Sequence, residues 1–483
     1  MSRHQLWIGG KFVDGKDLRD VHSPFSGKTV AQVVQATEAQ LEEALECAAK
    51  SFQVFRKTSR FARAKLLLGM AQGIEERRAD LVECLVQEAG KPLSFSDAEV
   101  SRAIMTFTLA SEEAKRMVGE VIPVDLDAAG RAYDSAVSTQ VPRGPVLAIS
   151  PFNFPLNLVA HKVAPALAVG ASVLLKPPPQ APGASKILAE IFEKAAKAAS
   201  DARDQIPLGA FQVLSASNDV MSRAVTDSRI SVFSFTGSDH VGWMLQGKAI
   251  KKKVVMELGG NAAVIIHSDA DLKRAALRCA FGGFAYAGQI CISVQRIFVH
   301  KSVAKAFQDE FLKEVAKLKV GDPSEKDTVV GPMIDEGNAV RVSQWIKEAQ
   351  NEGAELLVGG ERKGSLVTPA VLKNVAAKSK LNTEEVFGPV VILDSYETIG
   401  EAITKVNSSR FGLQAGVFTD TTSVAREVSE NLDAGGILIN EVPTYRADNL
   451  PYGGMKESGL GREGVRFAMA EFCDYKTVLS WRG

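Results

Sequence analysis

From about Glu38 to Val118, apolar residues recur three and four positions apart, in TEAQLEEALECAAKSFQVF and again between Ala62 and Ala89. That period is the mark of helices with one buried face. Thr37, with a Gln three residues on, has the arrangement of a capping box and opens the first of them. In VSTQVPRGPVLAIS, alternation passes into a short apolar run, which predicts strands. Beyond it the two patterns take turns: GPVLAIS, a helix from about Pro155 to Ala168, ASVLLKP, a helix from about Ala184 to Ala199, then FQVLSAS and SVFSFTG, each leading into a helical stretch. Strands alternating with helices of this length read as βαβ units around a mainly parallel sheet. A second series begins at KKVVMELGG and continues through NAAVIIH, SVQRIFVH, VVILDSY, AGVFTD and GGILIN, which predicts two α/β domains joined near Lys251. Two strand-like segments, AYDSAVSTQVPR and the terminal DYKTVLSWR, have no place in either series. They pair with another subunit or lie at an edge of their own chain.

The bulk numbers fit this picture. A chain of 483 residues exceeds what one core usually serves, so two or three domains are expected. Fifty-seven basic and fifty-seven acidic residues cancel, leaving no electrostatic footprint for nucleic acid or an anionic membrane. Cys47, Cys84, Cys279, Cys291 and Cys473 are scattered and odd in number, with no CxxC pair, so neither zinc nor a disulfide framework is expected. The opening MSRHQLWIGGKFVDG has no apolar signal core. The most apolar region, from Gly144 to Leu175, is interrupted by Asn153, Asn157, His161 and Lys162 and does not read as a membrane span. A soluble cytoplasmic protein is expected.

Ligands of open α/β sheets bind beyond the carboxyl ends of strands, at helix N-termini. Four such loops have unusual content. In ISPFNFP, Asn153 is either a cap or an amide aimed at an oxyanion. In LLKPPPQAPG, Lys176 ends an apolar strand before three prolines, either solvated or placed at a ligand edge. In FSFTGSDHVG, Gly237 permits close backbone approach before a helix whose first N–H groups suit a phosphate. No GxGxxG fingerprint precedes a helix in the N-terminal α/β series. In VVMELGGNAAV, Glu257 is either held by the glycine turn or desolvated into the range of a general base. Cys291, in AYAGQICISVQR, is either core filling or a nucleophile.

In order, FNFP, LKP, FTGS, MELGG, GQIC, EEVFGP and PYGG…KESGLGRE resemble the motif series of the aldehyde dehydrogenase superfamily over nearly the whole chain, and LWIGGKFVDG resembles its usual start. The resemblance implies an α/β fold with a variant Rossmann cofactor domain, which accounts for the missing fingerprint. It divides the chain into a cofactor domain (1–122 and 142–251), a catalytic domain (252–449), a return to the cofactor domain (450–469) and oligomerisation strands (123–141 and 470–483) of a homodimer or homotetramer. Cys291 matches the family nucleophile, which forms a thiohemiacetal and then a thioester. The Asn153 amide and the Cys291 N–H hold the oxyanion, and Glu257 activates the hydrolytic water. For NAD or NADP, Lys176 reaches the adenosine ribose, Gly237 and Ser238 lie by the pyrophosphate, and Glu385 binds the nicotinamide ribose with Phe387 nearby. Ser150, Pro151 and Leu258 complete that site.

Many NAD-preferring relatives carry a glutamate where this chain has Pro179, so NADP should be tolerated here. The resemblance places Asn157, His161, Ile290, Ile292, Tyr445, Arg446 and Tyr452 at the substrate. Their mixture suggests a short aldehyde with a polar or anionic end, although His161 also reads as a core histidine and Arg446 as a loop anchor. The chain is similar to the branch containing lactaldehyde and phosphonoacetaldehyde dehydrogenases, and Ile290 before the cysteine counts against a strongly phosphate-like substrate. Two rivals remain. Glu257 opposes a CoA-acylating enzyme, and the joint presence of Cys291, Glu257, Asn153 and Lys176 opposes a non-catalytic, crystallin-like relative.

Overall fold

The computed structural model describes residues 2–482. The helical region forms as Glu38–Phe55, Arg60–Glu76, Arg78–Ala89 and Leu93–Arg116. The capping box at Thr37 is made, with the Thr37 hydroxyl accepting from the Gln40 N–H and the Gln40 side chain accepting from the Thr37 N–H. The last three of these helices pack with Asn157–Val169 and Gly183–Ala199 on one face of the first sheet, around a core that includes Phe55, Leu67, Phe107 and Phe192, whereas Leu41, Ala44 and Leu45 of Glu38–Phe55 join the core on the other face.

That sheet has eight strands, of which five central ones are parallel, in the order Lys253–Glu257, Val232–Thr236, Val146–Ile149, Val173–Lys176 and Phe211–Val213. The chain moves outward from Val146–Ile149 in one direction and resumes on its other side with Val232–Thr236. The crevice between those two strands is a topological switch point, where such sheets bind ligands. The loops that open there are ISPFN and TGS.

The second sheet has seven strands in the order Glu355–Val358, Ala370–Lys373, Val390–Tyr396, Val294–His300, Ala262–Ile266, Gln414–Phe418 and Gly436–Ile439. It is parallel except for its first strand. The expected boundary near Lys251 is corrected here. Lys253–Glu257 pairs with Val232–Thr236, so it closes the first series and does not begin the second. Its apolar pattern is the same in either sheet, and only the choice of pairing partner decides the matter. The crossing between sheets is residues 258–261, immediately after Glu257. The carboxyl edge of the first sheet therefore meets the amino edge of the second, where Cys291 precedes Val294–His300.

The chain returns to the first domain as expected after residue 450. Gly459–Leu460 pairs with Lys253–Glu257, and the helix Val465–Glu471 packs on Asn157–Val169. The two segments without a home find each other: Tyr133–Pro142 lies between Cys473–Trp481 and Gly119–Ile122 in a separate three-stranded sheet. That sheet begins before the expected residue 123. It leaves Val121, Tyr475, Val478 and Trp481 more than half exposed.

Candidate active site

A cavity of about 740 Å³ runs along the switch point between the two domains. Ser150, Pro151, Lys176, Pro179, Gly237, Ser238, Leu258, Glu385 and Phe387 all line it, and Cys291 and Asn153 stand at its inner end. Sequence reasoning missed the apolar Met221 and Val225, from the helix Asn218–Thr226, and Arg341 and Arg410 on the opposite wall. Nothing in an isolated amphipathic helix marks one of its residues as facing a ligand. Arg410 ties the two walls, pairing with Asp239 on one side, Glu384 at 2.7 Å on the other, and Glu457.

The lining suits a nicotinamide dinucleotide. Ser150 Oγ and Thr236 Oγ1, at the ends of the two strands flanking the crevice, are buried without partners. Lys176 has no ion pair among the described residues, and burial lowers its pKa. Glu385 accepts from the Gly260 N–H at 3.0 Å, and burial pushes its carboxyl up to about 8. Phe387 has φ of +45° and packs edge-on against Phe152 at 5.8 Å. A phenylalanine in the left-handed region is strained backbone, of the kind that persists at ligand clamps.

The glycines of MELGG are explained by close approach. A Cβ at Gly260 would stand 2.2 Å from the Cys291 carbonyl oxygen, and one at Gly259 would stand 2.7 Å from Glu385 Oε2. Any side chain there would push the nucleophile and Glu385 loops away from Glu257. The nucleophile loop is itself unusual: Tyr286, Ala287 and Gly288 have φ of +52°, +54° and +68° in succession. Cys291 follows in an apolar setting of Ile290, Ile292, Phe154, Phe95 and Tyr452. Its Sγ lies 3.1 Å from the Tyr452 hydroxyl. Burial pushes the thiol up to about 12; the Tyr452 hydroxyl draws it down, Glu385 and Glu257 raise it, and Arg446 lowers it.

Asn153 is buried, and its Nδ2 donates to the Gln289 carbonyl at 3.0 Å, two residues before Cys291. An amide nitrogen carries two hydrogens, so one is left for an oxyanion beside the Cys291 N–H. Glu257 is 2% exposed and neither carboxyl oxygen has a partner. Burial, then the charge of Glu463, pushes it well above the usual carboxylate range; Arg446, Lys162 and Arg462 oppose this. The alternative in which the glycine turn holds Glu257 is not realised.

Beneath the nucleophile lies a buried charged layer whose extent the sequence did not show. Glu463 pairs with Lys162 at 3.1 Å and Arg446 at 3.0 Å, and these cations hold it at about 2 although burial opposes its charge. Asp448 accepts from His161 at 2.8 Å and from Arg102 at 2.7 and 3.1 Å. Asn157 donates to the same carboxylate at 3.4 Å. His161 is thus a partnered core histidine, its pKa lowered by burial and by Arg446. Arg446 is committed to Glu463 and stacked on Tyr452, so the reading as loop anchor fits it better than a free substrate cation. Tyr445 is half exposed and lies outside the apolar cluster around the thiol.

A second buried pair was also missed. Lys91 and Glu99 bond to each other. Lys91 Nζ donates to the Asn153 carbonyl at 2.9 Å, and Glu99 Oε1 accepts from the N–H groups of Leu156 and Asn157 at 2.8 and 3.0 Å. They grip the Asn153 loop at both ends.

Comparison with known proteins agrees with this geometry. The model of the aldehyde dehydrogenase family matches residues 12–478. A 3-sulfolactaldehyde dehydrogenase from Priestia aryabhattai is 38% identical over 480 residues, covering 99% of this chain and 98% of the relative. The structure of aldehyde dehydrogenase 21 from Physcomitrella patens, with its reaction product succinate, superposes with a TM-score of 0.95 at 38% identity, covering 99% of this chain and 98% of that one. That of glyceraldehyde-3-phosphate dehydrogenase GapN from Methanocaldococcus jannaschii, complexed with NADP, gives 0.92 at 36%, covering 97% and 100%. With a family model spanning nearly the whole chain and relatives aligned end to end, the chain belongs to the aldehyde dehydrogenase family, the NAD(P)-dependent oxidoreductases of aldehydes.

Proposed function

We propose that this enzyme oxidises a short aldehyde with a polar or anionic end, with Cys291 as nucleophile, Asn153 as oxyanion donor and Glu257 as general base. The observation that carries the roles is a thiol and a buried amide with a hydrogen to spare on one cleft, and behind them a carboxyl with two unpartnered oxygens whose charge acts on that thiol. Ionised Glu257 takes the thiol's proton, and Cys291 Sγ adds to the aldehyde carbon. The Asn153 Nδ2 and Cys291 N–H then receive the negative oxygen, in place before the charge develops. A nicotinamide dinucleotide, held by Lys176, Glu385 and the Gly237–Ser238 turn, would supply the hydride acceptor. Glu257, having passed the first proton to solvent and with its affinity for a proton raised by burial, next takes one from the water that cleaves the thioester and releases the acid.

Two features support a polar substrate. The relatives named above act on sulfolactaldehyde, yield succinate or handle glyceraldehyde 3-phosphate. Arg102, unlike Arg446, keeps partial exposure, and its guanidinium lies 5.8 Å from the Phe154 ring beside the thiol. The test is reduced-nicotinamide absorbance with sulfolactaldehyde, lactaldehyde, succinic semialdehyde, glyceraldehyde 3-phosphate and hexanal, each with NAD and NADP. Preference for hexanal would refute the polar end, and an active Cys291→Ala variant would refute the nucleophile.

The separate three-stranded sheet, with its exposed apolar side chains, is the proposed surface for a homodimer or homotetramer. The five free cysteines fit the reducing cytoplasm. No described helix is long and apolar enough to cross a membrane.

A further inference from the structure

Tyr452 is 4% exposed, in the turn between the catalytic domain and the returning chain. Its backbone N–H and carbonyl both bond to Glu463, at 3.1 and 2.7 Å, which fixes where its ring can stand. The hydroxyl has one described partner, Cys291 Sγ, at 3.1 Å. The Arg446 guanidinium lies 3.7 Å above the ring centre, held from the other side by Glu463. A cation on the face of a phenol withdraws electron density and makes its O–H a better donor.

We propose that Tyr452 is a catalytic residue: its hydroxyl donates a hydrogen bond to the Cys291 sulfur and favours the thiolate, with Arg446 stacked on the ring to strengthen that donor. The inference rests on Cys291 being the nucleophile and assigns Tyr452 to the attacking atom rather than to the far end of the substrate. The direction of donation follows from the groups present. Burial, the adjacent thiol and the Glu257 carboxyl all disfavour a phenolate, and Arg446 alone opposes them, so the phenol keeps its proton. The thiol therefore gives up the proton, to Glu257, and the sulfur accepts from the phenol. The other charged groups facing this pair are Glu385, which opposes the thiolate, and Glu463, which holds Arg446 in place.

A hydrogen bond to a charged acceptor favours that form by about one pKa unit or more. One unit makes the thiolate about tenfold more abundant below its midpoint. Thiolate reactivity falls with basicity at a Brønsted slope of about 0.4–0.5, which returns roughly a factor of three. The net gain is about three- to fourfold at neutral pH, reversing above the midpoint, where every thiol is already ionised.

Tyr452→Phe isolates the hydroxyl, since the ring, its packing and the Arg446 stack remain. The probe is iodoacetamide alkylation of Cys291 in the full-length enzyme, followed by mass spectrometry of its peptide across a pH series. The Phe variant should react about three- to fourfold more slowly at every pH well below the thiol's midpoint of about 12, the deficit narrowing only as that midpoint is approached. The burst of reduced nicotinamide should slow by a similar factor, with cofactor affinity unchanged. An unchanged alkylation profile, or a variant that reacts faster below the midpoint, overturns the proposal, because a merely space-filling tyrosine gives the first and a phenol that holds the thiol protonated gives the second. An active Cys291→Ala variant would instead overturn the nucleophile assignment, so the two failures are distinguishable.

Discussion

The Lys91–Glu99 pair offers the sharpest energetic test of how the oxyanion loop is held. Lys91 has no solvent exposure and Glu99 only 1%. The ammonium bonds to Glu99 and the Asn153 carbonyl and lies 3.4 Å from the Phe154 ring centre and 4.9 Å from that of Tyr286. Removing one partner of a buried pair costs about 3–5 kcal/mol, because the other charge stays behind. In Lys91→Met, Glu99 retains two backbone N–H donors at the start of Asn157–Val169, where a helix favours negative charge, so the loss should sit near ~3 kcal/mol.

Glu99→Gln keeps an acceptor for those N–H groups but turns an NH₂ towards the ammonium, and should cost about 3–5 kcal/mol. In Lys91→Met/Glu99→Gln that clash is gone and the cap survives. The double variant should therefore be more stable than the summed single losses by at least ~1.5 kcal/mol. Denaturant midpoints for the four proteins measure this directly.

A pH series adds an independent check. Burial lowers Lys91 from 10.5 to about 8, against the pull of Glu99. A lysine whose folded pKa lies below its unfolded value costs stability below the folded pKa, and the cost is relieved as pH rises between the two. This upward contribution between about pH 8 and 10.5 should be missing from Lys91→Met. Single losses that add within ~0.5 kcal/mol would refute the reasoning.

Three further outcomes follow from the site. Glu257→Gln should slow steady turnover by ~100-fold or more and the burst of reduced nicotinamide by less, since the thiol can also lose its proton to solvent whereas hydrolysis has no other base for its water; equal losses in both would contradict its role. Because the Glu257 carboxyl is pushed up, the ionised base grows as pH rises, so hydrolysis in the unaltered enzyme should rise with pH and the Gln variant should lack that limb. Pro179→Glu places a carboxylate in the lining beside Lys176 and should move the NADP-to-NAD ratio of kcat/KM about tenfold towards NAD, the equivalent of ~1–2 kcal/mol of repulsion; an unchanged ratio would mean the side chain does not face the ribose 2′ position. Trp481→Asp should weaken subunit association through the three-stranded sheet, and a monomeric unaltered enzyme by light scattering at micromolar concentration would remove that reading.

Periodicity in the sequence was enough for the helices from Glu38 to Arg116 and the alternating strands after Val146, because a buried face repeats with the period of its element. The motif residues were equally legible. Each of the nine cofactor positions that the family resemblance implied lines the cleft, those after Val146–Ile149 and Val232–Thr236 because strand-end loops at a switch point face it. What the sequence left open was pairing between distant segments. Lys253–Glu257 reads alike in either sheet, and only its register with Val232–Thr236 assigned it to the first and put Glu257 at the crossing.

The charged layer was hidden for the same reason. His161 and Asp448 lie 287 residues apart, and Lys162 and Glu463 lie 301 apart, so no local pattern announces that the members of each pair meet. Whether an arginine is free to meet a substrate depends on which carboxylate the fold brings to it. Tertiary structure committed Arg446 to Glu463 and the face of Tyr452, and paired Arg102 with Asp448 while leaving part of its side chain exposed. Burial, which is a property of the whole fold, then decided the protonation of Cys291 and Glu257 on which the chemistry depends.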